Sequence, residues 1–200
     1  ALADRGQQLL TSKVGVEPSG DAFNSISLDP QTGAPLNPMI NAGAIASTGL
    51  LNGDTAEDQW ARVAGVMADF IGHEVTVDDA VYRSESETGF RNRAIAWMLK
   101  NFGIIEGDPM PVLENYFRQC SINVTCRDLA FMAATLANAG VHPVTGRHAV
   151  PAEDVQSVLS IMATCGMYDY AGGWLYEVGL PAKSGVSGGI IAVMPGRFGI

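Results

Sequence analysis

Leu180-Pro181-Ala182-Lys183-Ser184-Gly185-Val186-Ser187-Gly188-Gly189-Ile190-Ile191-Ala192-Val193-Met194 decides how the fold is read. Residues 180–185 and 189–194 are short apolar runs rich in β-branched residues or glycine. They flank a tight glycine-rich turn, which predicts antiparallel strands. Residues 172–178 have the same character and are read as a strand before them. Upstream the pattern is helical. Residues 55–71 put Trp60, Val63, Ala64, Met67, Phe70 and Ile71 on one helical face, with Asp54 or Thr55 as the cap and Gly72 as the stop. Further helices are expected over residues 1–11, 42–51, about 89–102 and 111–118. Two more follow: one after the Thr125 cap, burying Leu129, Met132, Ala133 and Leu136, and one from Pro151, burying Val155, Val158, Leu159 and Met162. Many helices followed by a late run of strands predict an α+β fold, a helical region plus an antiparallel sheet. No linker divides the chain, so residues 1–200 are read as a single domain, helical over about 40–166 and strand-rich over about 170–200.

Composition narrows the function. The chain has 200 residues, 47% apolar and 16% charged, an ordinary globular balance. A net charge of -9, with acids spread along the chain, argues against a nucleic-acid binder, which would need clustered lysine and arginine. Cys120, Cys126 and Cys165 form no CxxC pair, and their odd number fits a reducing, cytoplasmic setting. No apolar run reaches the ~18 residues of a membrane span, and no signal-peptide pattern opens the chain. The chain opens on Ala1-Leu2-Ala3 and stops inside an apolar stretch at Ile200. The polypeptide is therefore expected to continue at both ends.

Several chemistries find no support. His73, His142 and His148 show no ligand pairing, so no metal is expected. Residues 185–189 lack the Lys-Ser/Thr ending of a phosphate loop. Cys120 lacks the flank of a papain-like nucleophile and is read as a small buried residue. Lys183-Ser184-Gly185 carries more: in penicillin-recognising enzymes such a triplet lies on a strand bordering the active site. There the backbone donates to an oxyanion and the lysine adds positive potential. The partner motif, Ser-x-x-Lys, does not occur in these residues.

Five ordered blocks then carry a resemblance. They are Asn37-Pro38-Met39-Ile40-Asn41-Ala42-Gly43-Ala44-Ile45; Ser84-Glu85-Ser86-Glu87-Thr88-Gly89-Phe90-Arg91-Asn92; Tyr116-Phe117-Arg118-Gln119-Cys120-Ser121 with Val124-Thr125-Cys126; Cys165-Gly166-Met167-Tyr168-Asp169; and Gly179 through Gly189. In this order they resemble the serine-dependent glutaminases, which have the fold of serine β-lactamases and penicillin-binding proteins.

The resemblance implies hydrolysis of the L-glutamine side-chain amide to glutamate and ammonia through a serine acyl-enzyme, with no cofactor. It implies a Ser-x-x-Lys motif just before Ala1, a last strand and helix beyond Ile200, and a homodimer or homotetramer. Glu85 matches the carboxylate that holds the substrate ammonium. Asn41 and Tyr116 match residues that hold the α-carboxylate, and Asn92 another pocket amide. Val186 matches an oxyanion donor acting through its backbone N–H, and Tyr168 a proton shuttle beside the nucleophile. Lys183 is assigned an electrostatic or structural part, and the ammonium that tunes Tyr168 is expected to come from the Ser-x-x-Lys motif. By residue type alone, Glu85 also reads as a solvated acid, Asn41 and Asn92 as cap or turn residues, and Tyr116 as core. Two alternatives stay open: another serine amidohydrolase on the same fold, and a non-catalytic glutamate-binding fragment.

Overall fold

The computed structural model describes residues 1–200. The backbone packs as two compact units, one formed by residues 1–61 and 76–122, the other by residues 62–75 and 123–200.

The first unit is helical. It contains α1 (Leu2–Lys13), α2 (Asn41–Gly49), the first turns of α3 (Ala56–Ile71), α4 (Asp79–Thr88), α5 (Phe90–Asn101) and α6 (Pro109–Cys120). Local chemistry fixes the starts. The Thr55 hydroxyl accepts from the Asp58 N–H while the Asp58 carboxylate accepts from the Thr55 N–H, a reciprocal cap for α3. The Asp108 carboxylate accepts from the Met110 N–H, and Pro109 occupies the first turn of α6. The core gathers Ile40, Ile45, Ile95, Leu99, Ile105, Leu113 and Phe117, from α2, α5, α6 and the loops beside them. Gly43 lets α2 start against the chain that leads into it: a Cβ there would lie 1.8 Å from the Asn37 carbonyl oxygen. Helix α4 is absent from the sequence reading because its residues are mostly polar and none is fully buried. Its cap gives it away, since the Asp78 carboxylate accepts from the Ala80 and Val81 N–H groups.

The second unit carries the end of α3, α7 (Cys126–Ala137), α8 (Ala152–Cys165), a 3-10 turn (Tyr168–Tyr170), α9 (Ala171–Val178) and strands β1 (Ala182–Ser184), β2 (Ile190–Met194) and β3 (Phe198–Gly199). The expected strand over 172–178 is a helix. Gly179, in the left-handed region at φ 75, donates its N–H to the Leu175 carbonyl and ends that helix. The Trp174 indole donates to the Leu180 carbonyl and ties the helix to the segment leading into β1. The glycine pair at its start hid the helical spacing of Trp174, Leu175 and Val178. The remaining two strands form as expected, pairing Ala182 with Ala192 and Lys183 with Ile191, and β3 adds to the far side of β2. The sheet lies against α7 and α8, with Ala182 and Val193 fully buried. On α7, Ala133 and Leu136 are buried as expected, Leu129 and Met132 only in part; on α8 Val155, Leu159 and Met162 are buried and Val158 only in part.

A pH-dependent tie closes the turn after α3. His73 Nε2 lies 2.9 Å from Asp128 Oδ1 and Nδ1 lies 2.9 Å from the Glu74 carbonyl oxygen, so the imidazolium can donate at both ends. The Asp128 bond, then the Glu74 carbonyl, raise the His73 pKa above its ordinary 6.5. A raised histidine pKa gives stabilisation fully present below about pH 6.5 and lost as pH climbs through the folded value. His73→Gln is expected to flatten that decline in urea midpoints between pH 6 and 8.5; an unchanged decline would assign it to another group.

No helix is long and apolar enough to cross a membrane.

Candidate active-site residues

In the first unit the four candidate residues fall into two local pairs. Asn41 begins α2 and Asn92 lies in the first turn of α5; the Asn41 amide donates to Asn92 Oδ1 over 3.0 Å. Asn92 is buried, and Asn41 half-buried. Glu85 lies on α4, half-buried, and Tyr116 lies on α6, nearly fully buried; the two helices pack together. Cys120 links this second pair. Cys120 is exposed, not the buried residue the sequence suggested, because it ends α6 at the surface; the protein packed around its sulfur still pushes the thiol up to about 11, a hydrogen bond with Tyr116 acts the other way, and the Glu85 carboxylate raises it further. At neutral pH Cys120 is therefore a thiol, not a nucleophilic thiolate. The sequence signal for its place was available, because Tyr116 and Cys120 are four residues apart on one helical face.

In the second unit, the end of α8 runs hard against β1. The Ser184 N–H donates to the Gly166 carbonyl over 3.1 Å. The chain then turns through Tyr168, which has φ 56, a left-handed conformation rare outside glycine. This turn brings its phenol to the strand. Lys183 Nζ donates to Tyr168 Oη over 2.7 Å and also to the Ser184 carbonyl; the phenol donates to the same carbonyl over 3.3 Å. The ammonium lies 4.5 Å from the Tyr168 ring centre. Burial lowers the Lys183 pKa to about 8. Val186 heads the turn after β1, 81% exposed, and its N–H donates to no protein acceptor. The turn is held below it by the Gly185 N–H to Gly189 carbonyl bond (2.8 Å) and the Gly188 N–H to Gly185 carbonyl bond (3.0 Å).

Every sequence-derived candidate is thus placed. Asn41 meets Asn92, Glu85 and Tyr116 flank Cys120, and Tyr168 bonds the carbonyl of Ser184, two residues before Val186. The sequence reading gave Lys183 only a general part. Its contact with Tyr168 spans 15 positions in the chain and follows no helical or strand period.

A Lys-Ser-Gly strand in an antiparallel sheet, a tyrosine phenol on its lysine and helices packed behind place the chain in the β-lactamase-like class of serine-hydrolase folds. The family model described as Glutaminase matches residues 1–200, and the chain belongs to that family. A glutaminase of Trichormus variabilis is 54% identical over 200 residues, covering all of this chain and 60% of its own length. A probable glutaminase of Bacillus subtilis superposes with a TM-score of 0.93 at 40% identity, over 97% of this chain and 63% of that one. The structure of Mglu in its glutamate form superposes with a TM-score of 0.92 at 42% identity, over 99% of this chain and 46% of that one. The chain spans 60% of the length of the Trichormus variabilis glutaminase and 32% of that of a Bradyrhizobium diazoefficiens glutaminase.

Proposed function

We propose that the protein containing these residues hydrolyses the side-chain amide of L-glutamine to L-glutamate and ammonia. The observation that carries this reading is spatial pairing: residues matched separately along the sequence, Asn41 with Asn92 and Tyr168 with Lys183, are hydrogen-bonded partners.

Glutamine presents an ammonium, a carboxylate and a neutral amide. Glu85 takes the ammonium by a charge-assisted hydrogen bond, and the packing of α4 on α6 holds it. Asn41 and Tyr116 hold the α-carboxylate, with Asn92 fixing the Asn41 amide. The Val186 N–H, exposed and uncommitted, donates to the oxygen that gains charge as the amide carbon becomes tetrahedral. A serine oxygen attacks that carbon, the C–N bond breaks, and the nitrogen leaves as ammonia after gaining a proton through Tyr168. Water then cleaves the ester to release glutamate. The nucleophile belongs to the remainder of the polypeptide, since no serine here is followed by lysine three residues on. No cofactor takes part. A homodimer or homotetramer and a cytoplasmic setting complete the reading; three free thiols support the latter.

The test is ammonia release from free L-glutamine by the complete polypeptide. Steady turnover supports the reading. Acylation by penicillin without ammonia release moves the protein to another amidohydrolase class, and glutamate binding without turnover makes it a binding module.

A further inference from the structure

We propose that Asn52-Gly53 is a site of spontaneous covalent modification. The Asn52 side chain cyclises onto the Gly53 nitrogen, loses ammonia and reopens as aspartate or isoaspartate, and this releases the first turn of α1. The inference stands apart from what the protein hydrolyses.

The residue type comes first. Asn52 is the only asparagine in the sequence followed by glycine. The nitrogen that attacks must reach the asparagine Cγ, and a Cβ on its own residue would crowd that approach. The structure shows why glycine stands at 53. Its φ is 147, a conformation L side chains rarely adopt, and an added Cβ would lie 2.9 Å from the Gln59 backbone nitrogen. Packing of the loop against α3 therefore requires the very residue that leaves Asn52 open to attack.

The nitrogen is also available. Residues 51–53 belong to no helix or strand, Gly53 is exposed, and its N–H donates to no acceptor in the chain. Other asparagines are followed by an engaged N–H. The Ser25 N–H after Asn24 donates to the Ala22 carbonyl, the Arg93 N–H after Asn92 to the Gly89 carbonyl, and the Phe102 N–H after Asn101 to the Met98 carbonyl. Deprotonating those nitrogens means breaking a bond first.

The chemistry needs only water. Hydroxide takes the Gly53 amide proton, and the nitrogen forms a bond to Asn52 Cγ. The Cγ–Nδ2 bond breaks, and Nδ2 leaves as ammonia with a proton from water, which restores the hydroxide. Water then opens the cyclic imide. Attack at Cγ leaves aspartate; attack at the Asn52 main-chain carbonyl carbon leaves isoaspartate, with the chain routed through Cγ.

The consequence falls on α1. That helix is interrupted at Gly6, which has φ 76 and ψ 162. Two bonds from the loop after α2 hold the turn before the break. Asn52 Nδ2 donates to the Asp4 carbonyl over 3.4 Å, and Arg5 Nε donates to the Leu50 carbonyl over 3.1 Å. Either product replaces the Asn52 amide with a carboxylate, which only accepts hydrogen bonds. Its oxygens then face the Asp4 carbonyl oxygen with no hydrogen between them, and that bond is lost. Isoaspartate also lengthens the main chain where Gly53 lies against α3.

The experiment incubates the complete polypeptide in native buffer at pH 6 and pH 8.5. Fragment-ion mass spectrometry locates the change, and isoaspartyl methylation is the second probe. Asn52 should gain one mass unit and the site should accept methyl groups, faster at pH 8.5, while Asn24 stays unchanged. Asn52→Gln, whose side chain would have to close a larger ring, should stay unmodified. Trypsin should cut after Arg5 roughly fivefold faster in aged protein and in fresh Asn52→Asp than in fresh wild type, the effect of losing one hydrogen bond. An Asn52 that keeps its mass, or gains it no faster at pH 8.5, overturns the modification. Cutting after Arg5 that is equal or slower in aged and Asn52→Asp protein overturns the release of α1.

Discussion

Glu85→Gln in the complete polypeptide lowers kcat/KM for L-glutamine by about 10²- to 10³-fold, equivalent to roughly 3–4 kcal/mol. The change keeps the shape of the side chain and removes its charge. Glu85 lies half-buried on α4, beside the Tyr116–Cys120 face of α6. A substrate ammonium brought against a neutral amide there loses its counter-ion after losing its water. That penalty for an orphaned, partly desolvated charge is larger than the worth of an exposed ion pair. The ammonium does not take part in bond breaking, so most of the loss appears in KM. A desamino analogue of glutamine separates this from a general disturbance of the fold. Wild type should prefer glutamine strongly over the analogue, and the variant should lose most of that preference. Equal kcat/KM for Glu85→Gln and wild type would remove Glu85 from the ammonium site.

Gly166→Ala lowers stability by about 3 kcal/mol or more, through forced overpacking. That corresponds to a melting temperature lower by roughly 6–12 °C for a chain of this size. Ordinary propensity points the other way. Gly166 has φ -68 and ψ -23, a conformation every residue accepts, and glycine-to-alanine changes at such positions usually stabilise by about 0.4–1 kcal/mol. Contact reverses the sign: a Cβ at Gly166 would lie 1.8 Å from the Ala182 carbonyl oxygen and 2.6 Å from that of Met162. Both are backbone atoms and cannot rotate away. Relief requires β1 to withdraw from the end of α8, which also separates Lys183 from Tyr168. Activity should therefore fall with stability. Gly65→Ala is the control: it lies within α3 with nothing within 4 Å of the added carbon and should raise stability by up to about 1 kcal/mol. Equal effects at both positions would show that propensity outweighs packing here.

Much of this was legible from the residues, for local reasons. Thr125 and Asp128 announce the start of α7 because a capping box needs only three residues of spacing. The hairpin of β1 and β2 is legible because glycines separate two apolar runs. The amphipathic face of α3 was read correctly in period but not in depth, since Trp60, Val63 and Met67 are only half-buried. Where local signals conflict, the reading fails: α9 was taken for a strand because Gly172 and Gly173 masked its spacing, and its true marker was the left-handed Gly179 at its end.

The sequence by itself determined the family and the helix-then-sheet order, and it singled out Asn41, Glu85, Asn92, Tyr116, Tyr168 and Val186 as candidates, because those readings rest on residue types in fixed local blocks. Only the tertiary structure decided who meets whom. Asn41 reaches Asn92 across 51 positions and Lys183 reaches Tyr168 across 15. The second meeting depends on a left-handed tyrosine and a glycine with no room for a methyl group. Such contacts are settled by how α8 packs on β1, and packing between distant segments leaves no periodic trace in the chain.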